Sequence, residues 1–127
     1  MVPDWIAEQR FDCRPAGART FTAVARVGRP ILAPADGTLA PYGRCAVSLA
    51  PLIGEKWIGG EDPFQALCLA LHFIRTRLKA FVASGGRVYY HATKNSIDLD
   101  SPSFVPLSTV AELRGRRTRR KGTPPPS

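Results

Sequence analysis

The chain has 127 residues and a formal net charge of +8 at pH 7. A length of this order predicts one domain. Six of the positive charges are concentrated near the C-terminus, on Arg114, Arg116, Arg117, Arg119, Arg120 and Lys121. Residues 1–113 therefore carry a formal net charge of only +2, which excludes a strongly basic fold. The high isoelectric point comes instead from the C-terminal segment after residue 113.

The cysteine pattern and the hydropathy bear on the compartment. Cys13, Cys45 and Cys68 are odd in number and widely spaced, which argues against a disulfide framework. The first residues lack a basic region followed by an apolar one, so no secretion signal is predicted. The longest apolar stretch, near residues 67–71, is too short to span a bilayer. We therefore expect a cytoplasmic protein with no membrane partner.

Two alternating segments predict an antiparallel hairpin near the N-terminus. Residues 5–14 place apolar side chains on one face and charged side chains on the other, as expected for a half-buried strand. Residues 21–27 alternate in the same way, and the turn-forming residues 15–18 lie between them.

One long amphipathic helix is predicted from Asp62 to Ser84. Asp62 is a favourable N-cap, Pro63 suits the first helical position, and Gln65 forms a capping-box-like pair with Asp62. Gly85 and Gly86 favour a stop after it. A continuous apolar stripe is predicted from the helical spacing of Phe64, Leu67, Leu71, Ile74, Leu78 and Phe81, widened by Leu69, Ala70, Phe73 and Val82.

The remaining segments complete an α+β prediction. Residues 44–49 predict a third strand and residues 87–92 a fourth, whereas the Pro- and Gly-rich residues 28–43 predict a surface loop. Residues 96–100 fit a short fifth strand or a turn, and residues 109–113 a brief helix. We expect an antiparallel sheet of about four strands with the helix on one face. The predicted domain is 1–113, followed by a disordered, Pro-rich basic tail at 114–127.

Several of these segments resemble an uncharacterised family of small bacterial proteins, known only as a domain of unknown function. The resemblance covers roughly residues 5–92. It is carried by residues 6–11, by Cys45-Ala46-Val47, by residues 60–67 with Leu69-Ala70-Leu71 and Ile74-Arg75, and by residues 85–89. It implies a bacterial source and no activity, and the tail lies outside it.

No constellation of residues predicts chemistry. Cys68 and His72 lie one helical turn apart, but a metal site needs three or four ligands. Asp98 and Asp100 could share a strand face and hold a cation, or belong to a turn. No nucleophile elbow is present. We predict no catalytic, metal or cofactor-binding residue and no cofactor, and favour a non-enzyme without excluding an active site assembled from distant residues.

Two features predict binding. The first is a set of candidate interface anchors, Trp57, Tyr89 and Tyr90. For Trp57 the alternative is that its side chain only caps the hydrophobic core. The six cations of the tail could contact phosphates non-specifically, or the tail could merely solubilise the chain.

These features support three hypotheses. The first is a non-enzymatic protein-interaction module with an unidentified protein partner. An immunity or antitoxin-like protein is one specific form of this hypothesis. The second is a nucleic-acid-associated accessory protein that uses the tail, and the third is an enzyme of unrecognised type.

Overall fold

The computed structural model describes residues 2–34 and 41–100. The predicted helix at 109–113 and the predicted tail at 114–127 lie outside these residues, so the boundary at 113 stays a prediction. In the part of the chain that is described, the elements are β1 (Trp5–Arg14), β2 (Phe21–Gly28), β3 (Ile31–Ala33), β4 (Tyr42–Ala50), β5 (Ile53–Gly60), α1 (Pro63–Ala83) and β6 (Arg87–Tyr90).

The strands form one antiparallel sheet, and the fold is α+β as predicted. β4 pairs with β2 and then β3 along one edge and with β5 along the other, while β1 lies between β2 and β6. The prediction of about four strands is wrong, because residues 2–34 and 41–100 already form a sheet of six. The two additional strands are β3, which lies within the predicted loop, and β5.

The predicted hairpin is confirmed. β1 pairs with β2 so that Phe11 lies opposite Ala23 and Cys13 opposite Phe21. Phe11, Cys13 and Ala23 are completely buried beneath the helix side of the sheet. The strand predicted at 87–92 is shorter than expected and ends at Tyr90, because residues 91–94 turn and Ala92 has a positive φ of 59°. Of the segment 96–100, Ser96 and Ile97 form bridges to β6: Ser96 pairs with Tyr89, and the Ile97 N–H donates to the Val88 carbonyl at 3.3 Å.

The helix begins and ends as its capping residues predict. The Asp62 carboxylate accepts a hydrogen bond from the Gln65 backbone N–H at 2.7 Å, and the Gln65 side-chain oxygen accepts one from the Glu61 N–H at 2.6 Å. At the other end, the N–H groups of Gly85 and Gly86 donate to the carbonyls of Val82 and Phe81. These two bonds form a Schellman motif, which Gly85 closes with a φ of +100°.

The buried face of α1 agrees in part with the predicted stripe, because Ile74, Leu78 and the flanking Ala70 are buried as predicted. The helix packs mainly on β4 and β5 and buries Ala66, Ala70, Ile74 and Leu78, a row with a spacing of four. Leu67, Phe73 and Phe81 pack at its borders. The predicted burial of Phe64 and Leu71 is wrong, since they are 74% and 37% exposed. The two alanines face inward because the helix axis approaches the sheet closely at Gly43 and Gly60.

Candidate interaction surface

The sheet has an outer face, which we define as the face turned away from α1. Partners in the antiparallel register lie on the same face, so the alternate residues of β1, β2, β4 and β6 that are not in the core belong to it. In the described part of the chain, no helix packs on this face.

Two tryptophans and two small residues form a row across the outer face. Trp5 lies opposite Gly28, and Trp57 lies opposite Ala46. Gly28 and Ala46 are neighbours, because a Cβ on Gly28 would lie 3.1 Å from that of Ala46. Three strand spacings separate the tryptophan backbones, about 14 Å. Both indoles are half-buried, and Ala46 is fully buried between the strands that carry them.

An arginine extends this row. The Arg44 guanidinium lies 4.7 Å from the centroid of the Trp57 ring, a distance at which the cation is attracted by the ring face. Arginine and tryptophan are both enriched at the centres of protein interfaces. The row and Arg44 therefore form a preorganised, amphipathic strip.

Four strands of the outer face carry an excess of positive charge. β1, β2, β4 and β6 place five arginines on it against two carboxylates, Glu8 and Asp12. Glu8 is shared, since its oxygens lie 3.2 Å from Arg26 Nε and 3.9 Å from Arg10 Nη2. The other arginines of the face are Arg14, Arg44 and Arg87. The charge balance favours an acidic partner surface.

Arg14 and Arg87 concentrate that charge at one end of the sheet. They lie directly opposite each other on β1 and β6, and both are exposed. Like charges that face each other across two strands destabilise the pairing slightly. Among the described residues neither arginine forms an ion pair, so a carboxylate from a partner would relieve the repulsion.

A histidine and a carboxylate meet at the edge of the outer face. His91 Nδ1 lies 2.9 Å from Asp12 Oδ1, the Ala92 N–H donates to Asp12 Oδ2 at 2.9 Å, and the Thr22 hydroxyl donates to Oδ1 at 3.4 Å. The hydrogen bond with His91 is the main cause that lowers the pKa of Asp12. The nearby hydroxyl bonds to the carboxylate rather than to the imidazole. The pair therefore ties the turn after β6 to β1 instead of activating a nucleophile.

The buried thiols are also poorly suited to nucleophilic chemistry. Burial raises the pKa of Cys13 to about 11 and raises the pKa of Cys45. Because both pKa values are raised, both thiols stay protonated near neutral pH. The reactive species is the thiolate, so neither thiol is activated for nucleophilic attack. The Cys45 thiol instead donates to the Gly28 carbonyl at 3.3 Å, where it helps to hold β2 against β4.

The Asp12→Asn variant is expected to lose about 1–2 kcal/mol of unfolding free energy at pH 7, because the charge-assisted bonds become neutral ones. The folded-state pKa of Asp12 lies below its ordinary value, so this stabilisation is complete above the unfolded pKa and is lost as the pH falls through the folded one. Urea unfolding from pH 7 to pH 3 should show the gap between wild type and variant closing. Asp4→Asn, at an exposed ion pair with Arg29, is the control and should change little. A pH-independent gap would contradict the assignment.

The three aromatic residues predicted as anchors do not form one cluster. Trp57 on β5 and Tyr89 on β6 both lie on the outer face, but at opposite edges of the sheet, about 19 Å apart by strand spacing. Tyr90 lies on the other face, opposite Phe11, and is 37% exposed. Trp5 was not predicted as an anchor, although its aromatic side chain is of the type enriched at interfaces. The predicted phosphate contacts of the tail, at 114–121, lie outside the described residues.

The polar pairs noted in the sequence are engaged locally. His72 Nε2 lies 3.4 Å from the Thr76 hydroxyl. The Asp98 carboxylate accepts from the Asp100 N–H at 3.0 Å, and Asp100 binds Lys79 at 2.6 Å, so the aspartate pair forms a turn. Within residues 2–34 and 41–100, no three His, Cys, Asp or Glu side chains converge as metal ligands would.

Comparison of the chain with protein-family models, with curated proteins and with solved structures gave no match. Across the described segments, α1 included, no helix combines the length and the apolar character needed to cross a membrane.

Proposed function

We propose that this chain is a non-enzymatic protein-interaction module of a bacterial cytoplasm, which binds an acidic surface of a protein partner through its outer face. The observation that carries the proposal is the sheet face on which no described helix packs, where a strip of Trp5, Trp57 and Arg44 lies among further arginines. Aromatic and arginine side chains contribute most of the binding energy at protein interfaces. The excess of arginines would steer and orient an acidic partner.

A protein fits this face better than a nucleic acid does. Glu8 lies between Arg10 and Arg26 and neutralises both in part, and Asp12 adds a second negative charge nearby. Carboxylates inside a basic patch repel the phosphates of a nucleic-acid backbone, which otherwise supply most of the affinity. The Arg44 guanidinium also lies 4.7 Å over the Trp57 ring, where it competes with base stacking on that ring.

The bacterial source rests on the resemblance to the small-protein family named above. An immunity or antitoxin-like role, in which the chain neutralises one cognate partner, is a specific form of the proposal. A gene for a toxin beside this one would support that form, and its absence would weaken it.

The experiment compares a charge reversal on the outer face with one elsewhere. The full-length chain is purified from its native host after nuclease treatment, beside Arg87→Glu and Lys94→Glu. Arg87→Glu creates an attractive pair with Arg14, so the fold is retained while the face loses two units of positive charge. Lys94 is exposed in the turn after β6 and gives the matched control. We expect one defined protein to stay with wild type and Lys94→Glu and to be depleted roughly tenfold from Arg87→Glu.

An alternative function rests on the basic tail, whose six cations could bind phosphates. Six phosphate contacts would give a logarithmic salt slope approaching about −5. The same purification, repeated with a chain ending at Leu113, separates the two functions. Only nucleic acid, lost with the tail or the nuclease, would favour the tail and count against the outer face.

A further inference from the structure

The outermost strands of the sheet, β5 and β6, differ in whether the chain itself pairs with their outer side. Beyond β6, the Tyr90 N–H donates to the Asn95 carbonyl at 2.8 Å and the Ile97 N–H donates to the Val88 carbonyl at 3.3 Å. Among residues 2–34 and 41–100, β5 pairs with β4 alone. β5 therefore presents an open edge eight residues long, and an open edge is a surface to which a further strand can add.

The pairing pattern shows which backbone groups of β5 point to this edge. In antiparallel sheets, a residue that exchanges hydrogen bonds with one neighbouring strand directs none to the other. The Tyr90 N–H points away from β1. Carried from there through the registers of β1, β2 and β4, the alternation makes Cys45 and Ile58 a hydrogen-bonded pair. The N–H and C=O groups of Trp57 and Gly59 consequently point away from β4, toward the open edge.

These two residues also lie on the outer face, next to Arg44. Gly59 is the residue of β5 opposite Arg44, and a Cβ on Gly59 would meet no atom within 4 Å. The described residues therefore leave open the space over Gly59, between the Arg44 side chain and the edge. A residue opposite Gly59 on an added strand would have its Cα about 10 Å from that of Arg44, a separation that an arginine and a glutamate side chain together span.

We propose that the acidic partner binds by strand addition, with an extended segment pairing with Trp57 and Gly59 at the open edge of β5. A carboxylate of this segment crosses Gly59 and binds the Arg44 guanidinium. The inference rests on the proposed function and specifies how the partner is held. The backbone hydrogen bonds supply affinity, and a cross-strand neighbour packs against the Trp57 ring. The charge-assisted bond to Arg44 selects an acidic segment.

The charges of β5 favour a partner protein over a second copy of this chain. Glu55 and Lys56 are both exposed near the middle of the strand. Charged side chains on an edge strand, lysine above all, are a common device against the pairing of identical edges. An acidic segment of a different protein avoids this obstacle, because its own sequence can place other side chains beside Glu55 and Lys56.

The test uses the full-length protein and a phage-displayed library of random decapeptides. We expect the selected peptides to share a carboxylate at one position among β-branched residues. The synthesised peptides should slow hydrogen exchange of the Trp57 and Gly59 amides about tenfold or more, as burial in a strand pair does. Peptides that bind without protecting these two amides, or a library that yields no binder, would overturn strand addition.

Gly59→Pro removes the edge-directed N–H, and Gly59→Ala is its matched comparison. Because that N–H points away from β4, the proline costs no bond between β4 and β5. Gly59→Pro should weaken binding of the selected peptides about tenfold or more, whereas Gly59→Ala, which keeps the N–H, should lose no more than about threefold. Equal affinities of the two variants would contradict the proposal. If Gly59→Pro does not fold, amide exchange in the wild-type protein decides.

The role of Arg44 has its own readout. Arg44→Gln should weaken a selected acidic peptide about tenfold, but should hardly affect the same peptide with its carboxylate replaced by an amide. A loss of equal size for both peptides would exclude the contact between the carboxylate and Arg44.

The outcomes also separate this binding mode from the proposed function. A host protein that is depleted from Arg87→Glu but retained by Gly59→Pro leaves the proposed function standing and refutes strand addition. A host protein that Arg87→Glu does not deplete counts against the proposed function, whereas peptide binding that depends on the Gly59 N–H still supports strand addition. Protection of the Trp57 and Gly59 amides that rises with protein concentration, without peptide, would make a second copy the occupant and refute the proposal.

Discussion

The Gly43→Ala variant is expected to lose about 3 kcal/mol or more of unfolding free energy, at the upper end for overpacking substitutions. Gly43 of β4 lies opposite Gly60 of β5 on the face beneath the first turn of α1. A Cβ on Gly43 would overlap the backbone carbonyl of Asp62, and a Cβ on Gly60 would lie 2.6 Å from the Ala66 nitrogen. Neither obstacle is a flexible side chain, so the helix itself would have to move.

Gly59→Ala is the matched control for this prediction. Gly59 neighbours Gly60 on β5, yet a Cβ there would meet no atom within 4 Å. This variant should change stability by less than about 1 kcal/mol, and in the stabilising direction, because alanine restricts the unfolded chain. Urea unfolding of both variants measures the difference. Equal stabilities would show that the helix does not approach the glycine pair closely.

The parts of the fold that follow from local pattern were predicted correctly. The alternation in residues 5–14 and 21–27 assigned Phe11, Cys13 and Ala23 to the buried face, since the side-chain period of a strand is two. The helix limits followed from Asp62, Pro63 and the glycines after Ser84. In each case the signal lies within a few residues of the structure that it determines.

The errors concern features that depend on distant contacts. β5 contains Gly54, Gly59 and Gly60, which weaken a strand signal, and it forms because β4 lies beside it. The face of α1 was assigned from its large side chains, and Ile74 and Leu78 are buried as predicted. Phe64 and Leu71 are nevertheless exposed, and alanines are buried in the first turns. Ala66 and Ala70 face inward because glycines on the sheet allow a close approach, which no pattern within the helix records.

The candidate interaction surface was only partly predictable. Trp57 and Tyr89 could be named from residue type alone. The row from Trp5 to Trp57 depends on the register across four strands, as does the meeting of Arg14 with Arg87. A register is set by the pairing of whole strands, so the sequence gives the residue types of such a surface but not which of them are neighbours.

Leu78→Ala is expected to lose about 2–5 kcal/mol of unfolding free energy, the range for removing a large side chain from a core. Leu78 has no exposed surface and belongs to the helix row that contacts the sheet. Leu69→Ala makes the same chemical change on the same helix, but Leu69 is 40% exposed. This variant should therefore lose only about 0.5 kcal/mol of unfolding free energy. The pair isolates the orientation of α1, because helix propensity and side-chain size change equally in both variants. Similar losses, measured by urea unfolding at pH 7, would contradict the burial of the row with Ala66, Ala70 and Ile74. A large loss for Leu78→Ala alone would establish that the helix face containing Ile74 and Leu78, rather than the side containing Leu69, holds α1 on the sheet.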